Sequence, residues 1–260
     1  MTALMLAAAL AIGQGRITNA QVETRQAAQP LEREIAAATA RGGARWIGYR
    51  MKVAAGHRGM DCFDRTRVAL ESATEFSVLA RYEGTTLTRL RTATPDCEID
   101  AGGLPVTWFD NIKPDDSAAW LTSVIKSAGF SNDRQNAVVK PALLAMAMQE
   151  GNVAARSLIE LARDYQVAKI RSEALFWLAQ RAGQQATATI VEAVERDPDT
   201  EVKKRAVFAL SQLPKDEGVP KLIEVARTNR NPAVRQQAMF WLGQSNDPRA
   251  LKFFEDVLLK

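Results

Sequence analysis

His57 is the only histidine in this 260-residue chain, and Asp61, Cys62 and Asp64 follow it closely. A His-x3-Asp-Cys-x-Asp cluster invites a metal or a nucleophile. Zinc takes about four ligands, and its structural sites favour Cys and His pairs at set spacing. Here the second cysteine, Cys97, lies far along the chain. A Cys62–His57 nucleophilic pair would need a free thiolate. An even cysteine count instead fits one Cys62–Cys97 disulfide, two buried thiols being the alternative. Closing that loop would stabilise the fold by about 4 kcal/mol in the chain-entropy model. No P-loop, Rossmann glycine fingerprint, Gly-x-Ser-x-Gly or zincin motif is present. The expected catalytic, metal and cofactor sets are therefore empty.

Composition points the same way. Apolar content of 47% and charged content of 25% are those of a globular protein. A net charge of +4 comes from 34 Lys and Arg against 30 Asp and Glu, with no dense basic block. A nucleic-acid partner is disfavoured on that distribution. Ala3 to Gly13 is an apolar run, too short for a stable membrane span and suited to a signal peptide ending near Thr18-Asn19-Ala20. No Lys or Arg precedes it. A short buried helix is the alternative, which would leave the protein cytoplasmic. Export to the periplasm or beyond is the expectation, with residues 1–20 removed.

Behind that segment, residues 21–43 read as a helical linker, closed by Gly42-Gly43. Residues 44–110 read as a small β-rich unit. Ile47, Tyr49, Met51 and Val53 alternate, as do Phe76, Val78, Ala80 and Tyr82. Glu83-Gly84 joins the run 75–82 to the run 85–92 as a hairpin, whose second strand alternates poorly and suggests a bulge. Leu104 to Phe109 is a further strand. Pro114-Asp115-Asp116-Ser117 opens a connecting helix within 111–131.

From residue 132 the chain repeats every 32 residues. Ala142, Ala174, Ala206 and Ala238 are equally spaced, as are Leu144, Phe176, Phe208 and Phe240. A fixed period in this range marks a solenoid, whose units bury their apolar faces against neighbours. In the third unit Val202, Ala206, Ala209, Leu210 and Leu213 form an apolar helix stripe, which Pro214 ends. Asp216-Glu217-Gly218 reads as a turn before a second helix carrying Val219, Leu222, Ile223, Val225 and Ala226. The pattern Asp199-x-x-Val202-Lys203-x-x-Ala206-x-x-Ala209-Leu210 recurs around Ile170-Arg171 and Val234-Arg235. It resembles the short HEAT repeat first met in phycobilin-lyase subunits, over about residues 132–260. In the first unit Pro141 would disturb the first helix. The expected fold class is α+β: a small β-rich unit followed by an α-solenoid of about four HEAT-like helical hairpins.

Such arrays work as surfaces. The resemblance implies that Arg171, Lys203 and Arg235 bridge neighbouring units, and that the second helix of each hairpin faces the concave side. Glu160, Glu192, Glu224 and Asp256 form a ladder on those second helices and are one candidate binding surface. The last helix is another. Phe253 stands where the third unit has Lys221, and Leu259 where it has Arg227. With Phe254 they would form an apolar patch for a protein partner or a second copy, because contiguous exposed apolar surface marks interfaces. The alternative is that these aromatics fold back onto their own unit. Trp177 and Trp241 share one repeat position and are expected in the core. The expected function is an exported scaffold for protein–protein interaction. The alternatives are an accessory subunit of an enzyme, as the bilin-lyase resemblance implies, or a nucleic-acid-binding HEAT protein.

Overall fold

The computed structural model describes residues 16–54, 74–128, 132–181 and 184–259. The apolar run Ala3–Gly13 and the cluster His57, Asp61, Cys62 and Asp64 lie outside the described residues. The chain divides into two compact units, the first reaching Lys113 and the second running from Pro114 to Lys260.

The first unit is built on a five-stranded sheet. Its strands are β2 (Val22–Gln26), β3 (Ala44–Lys52), β4 (Glu75–Glu83), β5 (Thr86–Ala93) and β7 (Val106–Asp110), in the order β2-β7-β3-β4-β5. Helix α1 (Leu31–Thr39) connects β2 to β3, and β7 lies between those two strands, parallel to both. Two short strands, β1 (Arg16–Thr18) and β6 (Glu98–Asp100), pair in parallel separately.

The linker expected over residues 21–43 thus holds a strand as well as a helix. Val22–Gln26 shows no apolar alternation, and four of its five residues are exposed, Arg25 being half-buried. Its extended form comes from backbone pairing with β7, a partner 84 residues away that local pattern does not reveal. Helix α1 buries Leu31, Ile35 and Ala38, spaced to fall on one face. Its start is held by Glu34, whose carboxylate accepts from the backbone N–H groups of Ala28 and Gln29, both at 2.9 Å.

Ile47, Tyr49 and Met51 of β3 are buried, opposite Ala80, Val78 and Phe76 of β4. Ser77 and Leu79 are buried too, because β4 is an inner strand. The β4–β5 hairpin turns at Gly84, whose φ of +61° suits a residue without Cβ. The register shifts so that Tyr82 faces Leu87 while Arg81 faces Arg89. Thr88 is the extra residue of that bulge, and its hydroxyl donates to the Arg81 carbonyl at 3.2 Å.

The second unit is helical. Helix α2 (Pro114–Ser127) opens it, with Trp120, Leu121, Val124 and Ile125 buried. This helix falls in the same compact unit as the repeats. Buried Gln149 ties it in, accepting from the Ser117 hydroxyl at 2.7 Å and donating to the Pro114 carbonyl at 3.2 Å. Then come α3 (Asn132–Arg134), a π-helical turn over Gln135–Val139, and α4 (Lys140–Met148). Pro141 sits at the start of α4, just after the π turn, so the helix is not broken. A wider turn tolerates the missing N–H and the ring bulk that would kink a regular helix.

The repeat continues with α5 (Asn152–Asp164), α6 (Ala168–Gln180), α7 (Gln184–Arg196), α8 (Thr200–Ser211), α9 (Lys215–Thr228), α10 (Pro232–Gln244) and α11 (Pro248–Leu258). The pairs α4–α5, α6–α7, α8–α9 and α10–α11 are the four expected hairpins. Val202, Ala206, Ala209 and Leu210 are fully buried, as are Ile170, Ala174, Val234 and Ala238. Residues 216–218 do not form a turn: α9 starts at Lys215 and includes them. Gly218 is needed inside that helix. A Cβ there would lie 2.4 Å from the Leu210 carbonyl oxygen of α8. Its small size sets the approach of the two helices.

Candidate functional site

Each surface of the array is built from one residue position repeated along it. The basic position of the first helices meets the loops between hairpins. Arg171 donates to the Tyr165 and Gln166 carbonyls at 2.8 and 3.2 Å, and through Nε and Nη2 to both oxygens of Asp197 at 2.8 and 2.9 Å. Asp197 and Arg171 are both buried. That pair holds the guanidinium pKa above its usual value. Arg235 makes the equivalent loop contacts, to the Asn229 and Arg230 carbonyls at 2.8 and 3.2 Å. Lys203 reaches the Glu195 carbonyl at 2.8 Å. Where Lys replaces Arg, Asn229 replaces Asp197, so the charge pair is absent on both sides at once.

Sequence reasoning did not single out Arg181. Its guanidinium donates to the carbonyls of Met146, Ala147 and Gln149 at 2.8 to 3.1 Å, capping the end of α4. Burial lowers its pKa. The equivalent positions hold Leu213 and Ser245, so no periodic signal marked it.

The second helices carry the acidic ladder. Glu160 and Glu224 are exposed. Glu192 meets Arg163 at 2.7 Å and Arg196 at 3.8 Å, and Asp256 meets Arg227 at 3.5 Å. The partners Arg163 and Arg227 are 64 residues apart, two repeats; between them the position holds Glu195. The ladder is therefore not a continuous acidic stripe. Two rungs are neutralised from the previous hairpin. A groove of about 750 Å³ lies beside the second rung, Glu192, lined by residues that include Thr187, Val191, Glu195, Glu217 and Lys221.

The first helices carry an aromatic row. Phe176 and Phe208 stack with centroids 6.0 Å apart and planes 5° apart, and Phe208 meets Trp241 at 4.9 Å. The Arg205 guanidinium lies 5.1 and 4.9 Å from the Phe176 and Phe208 rings. Trp177 and Trp241, expected in the core, are only half-buried. Their indole nitrogens are nevertheless buried, without a hydrogen-bond partner. Phe240 is 54% exposed.

The last helix follows each of its two sequence readings in part. Phe253 is not outward: it is 2% exposed and T-shaped against half-buried Phe254, with the Arg227 guanidinium 5.5 Å from its ring centroid. The arginine stem and guanidinium of the preceding hairpin offer an aromatic surface a place to fold back, which a lysine at this position does not use. Leu259 is outward, 87% exposed. It is joined by Leu251 at 63%, Val257 at 51% and Leu258 at 82%. Leu251 and Phe254 also line a cleft with Leu242, Gly243 and Pro248.

In the first unit Cys97 is buried, its sulfur 3.1 Å from the Thr94 hydroxyl. Its expected partner Cys62 lies outside the described residues. Among the described residues no group of three or more His, Cys, Asp or Glu could hold a metal. Among them, too, no helix is long and apolar enough to cross a membrane.

Hairpins in register, joined by short loops and bridged by a recurring basic residue, define an α-solenoid. The family model for HEAT repeats matches residues 155–238 and 187–260, and this part of the chain is a HEAT-repeat array. The first hairpin falls largely outside that match. Comparison with curated proteins gives no match. Among solved structures, the complex of CpcE and CpcF of phycocyanin lyase from Nostoc sp. PCC7120 is similar at 18% identity. That similarity covers 55% of this chain and 90% of that one, with a TM-score of 0.42. Human deoxyhypusine hydroxylase in complex with glycerol is similar at 19% identity, over 49% of this chain and 43% of that one, with a TM-score of 0.39.

Proposed function

We propose that this protein is a non-catalytic scaffold that binds a protein partner through the last helices of its HEAT array. One comparison within the array carries the reading. Leu251 and Leu258 stand one repeat beyond Val219 and Ala226. On α9, which packs against α10, those residues are 3% exposed each; on α11 the leucines are 63% and 82% exposed. Among the described residues, no helix covers on α11 the face that an inner hairpin buries against the next helix. Its chemistry suits an amphipathic helix, the element that covers it elsewhere in the array. A rigid array presents such a face preorganised, which lowers the ordering cost of binding. A second copy of the chain is one source of that helix, and a foreign subunit is the other. An accessory subunit of an enzyme would dock in the same way.

Placement in the cell envelope belongs to this proposal. The apolar run Ala3–Gly13 and the cysteine pair support it.

The test replaces Leu251 and Leu258 together by Lys, which leaves the buried Ala250 and Phe253 in place. Sedimentation velocity over a range of concentrations is compared with wild type, and pull-downs from envelope extracts follow. Loss of self-association, or of a partner held by wild type, is the expected result. A double variant that matches wild type in both assays removes α11 as an interface.

A further inference from the structure

The sheet of the first unit has two unlike faces. Ile47, Tyr49, Val78 and Phe76 lie on one, which is apolar and buried. The register puts Arg50, Ser77, Arg81, Arg89, Arg91 and Trp108 on the other. Arg50 and Ser77 are direct cross-strand partners. Ser77 is fully buried, yet its hydroxyl has no hydrogen-bond partner. Nε and Nη2 of Arg50 are also buried and also without a partner. The remaining nitrogen, Nη1, donates to Glu75 at a long 3.4 Å, and the guanidinium lies 5.9 Å from the Trp108 ring centroid.

Buried donors are nearly always satisfied, and a charged one left alone is costlier than a neutral one. The Nε–Nη2 edge of arginine matches the two oxygens of a carboxylate or phosphate. This chain uses that edge elsewhere in the same way. Arg25 grips Glu23 with it, Arg171 grips Asp197, and Arg249 grips Asp247. At Arg50 the same edge is aimed at no acceptor, with a third buried donor, Ser77, across the strand. Around it the same face carries Lys52, Arg81, Arg89 and Arg91 against Glu75 and Glu83. Arg81 is paired with Glu83 at 3.1 Å, while Arg89 and Arg91 are exposed.

We propose that this face binds an oxyanion group, a carboxylate or a phosphate. The Nε–Nη2 edge of Arg50 grips two of its oxygens and the Ser77 hydroxyl donates to it as well. Trp108 backs the guanidinium and holds its plane. The assignment gives the first unit a ligand of its own, separate from the partner proposed for the array.

The full-length protein would be titrated with inorganic phosphate and, separately, with acetate, against chloride at matched ionic strength. Two signals are followed: the melting temperature, which a native-state ligand raises, and the Arg50 Nε–H resonance in NMR spectra. The expected result is a saturable rise in melting temperature with at least one anion, and a matching shift of that resonance. The stronger of the two identifies the group. Arg50→Lys keeps the charge but loses the fork, and should weaken binding by about ten- to a hundredfold. Ser77→Ala should weaken it less. A response equal in wild type and Arg50→Lys would reduce the effect to diffuse ionic attraction and overturn the proposal. An Arg50 resonance that neither anion moves would overturn it too, since the chain would then supply its own acceptor. The wild-type resonance reads the contact directly, so the test holds even if Arg50→Lys does not fold.

Discussion

Single residues in the array act through what stands one repeat away. Arg163 and Arg227 each neutralise the acidic residue 29 positions on, whereas Glu195 repeats the sign of Glu224. These pairs are exposed, and exposed ion pairs contribute about 0–1 kcal/mol, so they shape the surface more than they hold it. The buried Arg171–Asp197 fork is different, because removing one partner strands the other's charge. Asp247 is a third case. It caps α11, accepting from the Arg249 side chain at 2.7 and 2.8 Å and from the Arg249 backbone N–H at 2.9 Å. Those bonds push its carboxyl down from the ordinary 3.8 to about 2. A depressed carboxyl stabilises the folded state above its ordinary pKa, and that contribution is lost as pH falls through the folded value. Hydrogen-exchange protection of α11 should therefore fall between pH 3.8 and about 2 in wild type. In Asp247→Asn the protection should start lower and change little across that window. A wild-type profile as flat as the variant's would show that the cap does not hold the helix.

At the scale of elements, spacing between helices depends on small residues more than on helix propensity. Gly218 lies inside α9, and a Cβ there would press on the Leu210 carbonyl. Gly243 lies in α10, where a Cβ would meet nothing within 4 Å. Replacing an interior helical glycine by alanine gains up to about 1 kcal/mol from propensity. Overpacking costs about 1–3 kcal/mol. Gly243→Ala should therefore stabilise the array in urea melts, and Gly218→Ala should destabilise it. Two variants that shift the midpoint in the same upward direction would show that α8 and α9 can move apart freely. The π turn before Pro141 and the bulge at Thr88 follow a related logic. Each absorbs a residue that the regular element cannot accommodate.

For the whole molecule, export and the disulfide stand together. Removal of residues 1–20 would also remove β1, the strand paired with β6. The mature chain should begin near Gln21, and N-terminal sequencing of native protein checks this. An intact Met1 would defeat it. Alkylation of the native protein under denaturing conditions, followed by intact-mass analysis, should find no free thiol. Two alkylated cysteines would rule out the Cys62–Cys97 bond, and reduction should lower the melting temperature of the first unit more than that of the array.

The sequence alone determined the array. A helix–turn–helix unit of fixed length repeats its own packing problem, so Ala174, Ala206 and Ala238 must fall at the same contact each time. The hairpin at Gly84 was legible for a similar reason, since its partner strands are adjacent in the chain. Strand β2 was not legible, because its extended form depends on a distant partner and not on its own side chains. The outward surface was legible only in part. Position along the repeat predicted that Leu259 would be exposed and left two readings open for Phe253, which turns inward beneath Arg227; it did not predict that Leu251 would be left open. Periodicity says which positions are equivalent. Only the tertiary structure decides what covers them, because coverage depends on which neighbours each helix packs against. The orphaned donors of Arg50 and Ser77 belong to the same class. Their meeting across β3 and β4 is a matter of register, and register is set by pairing along the whole strand.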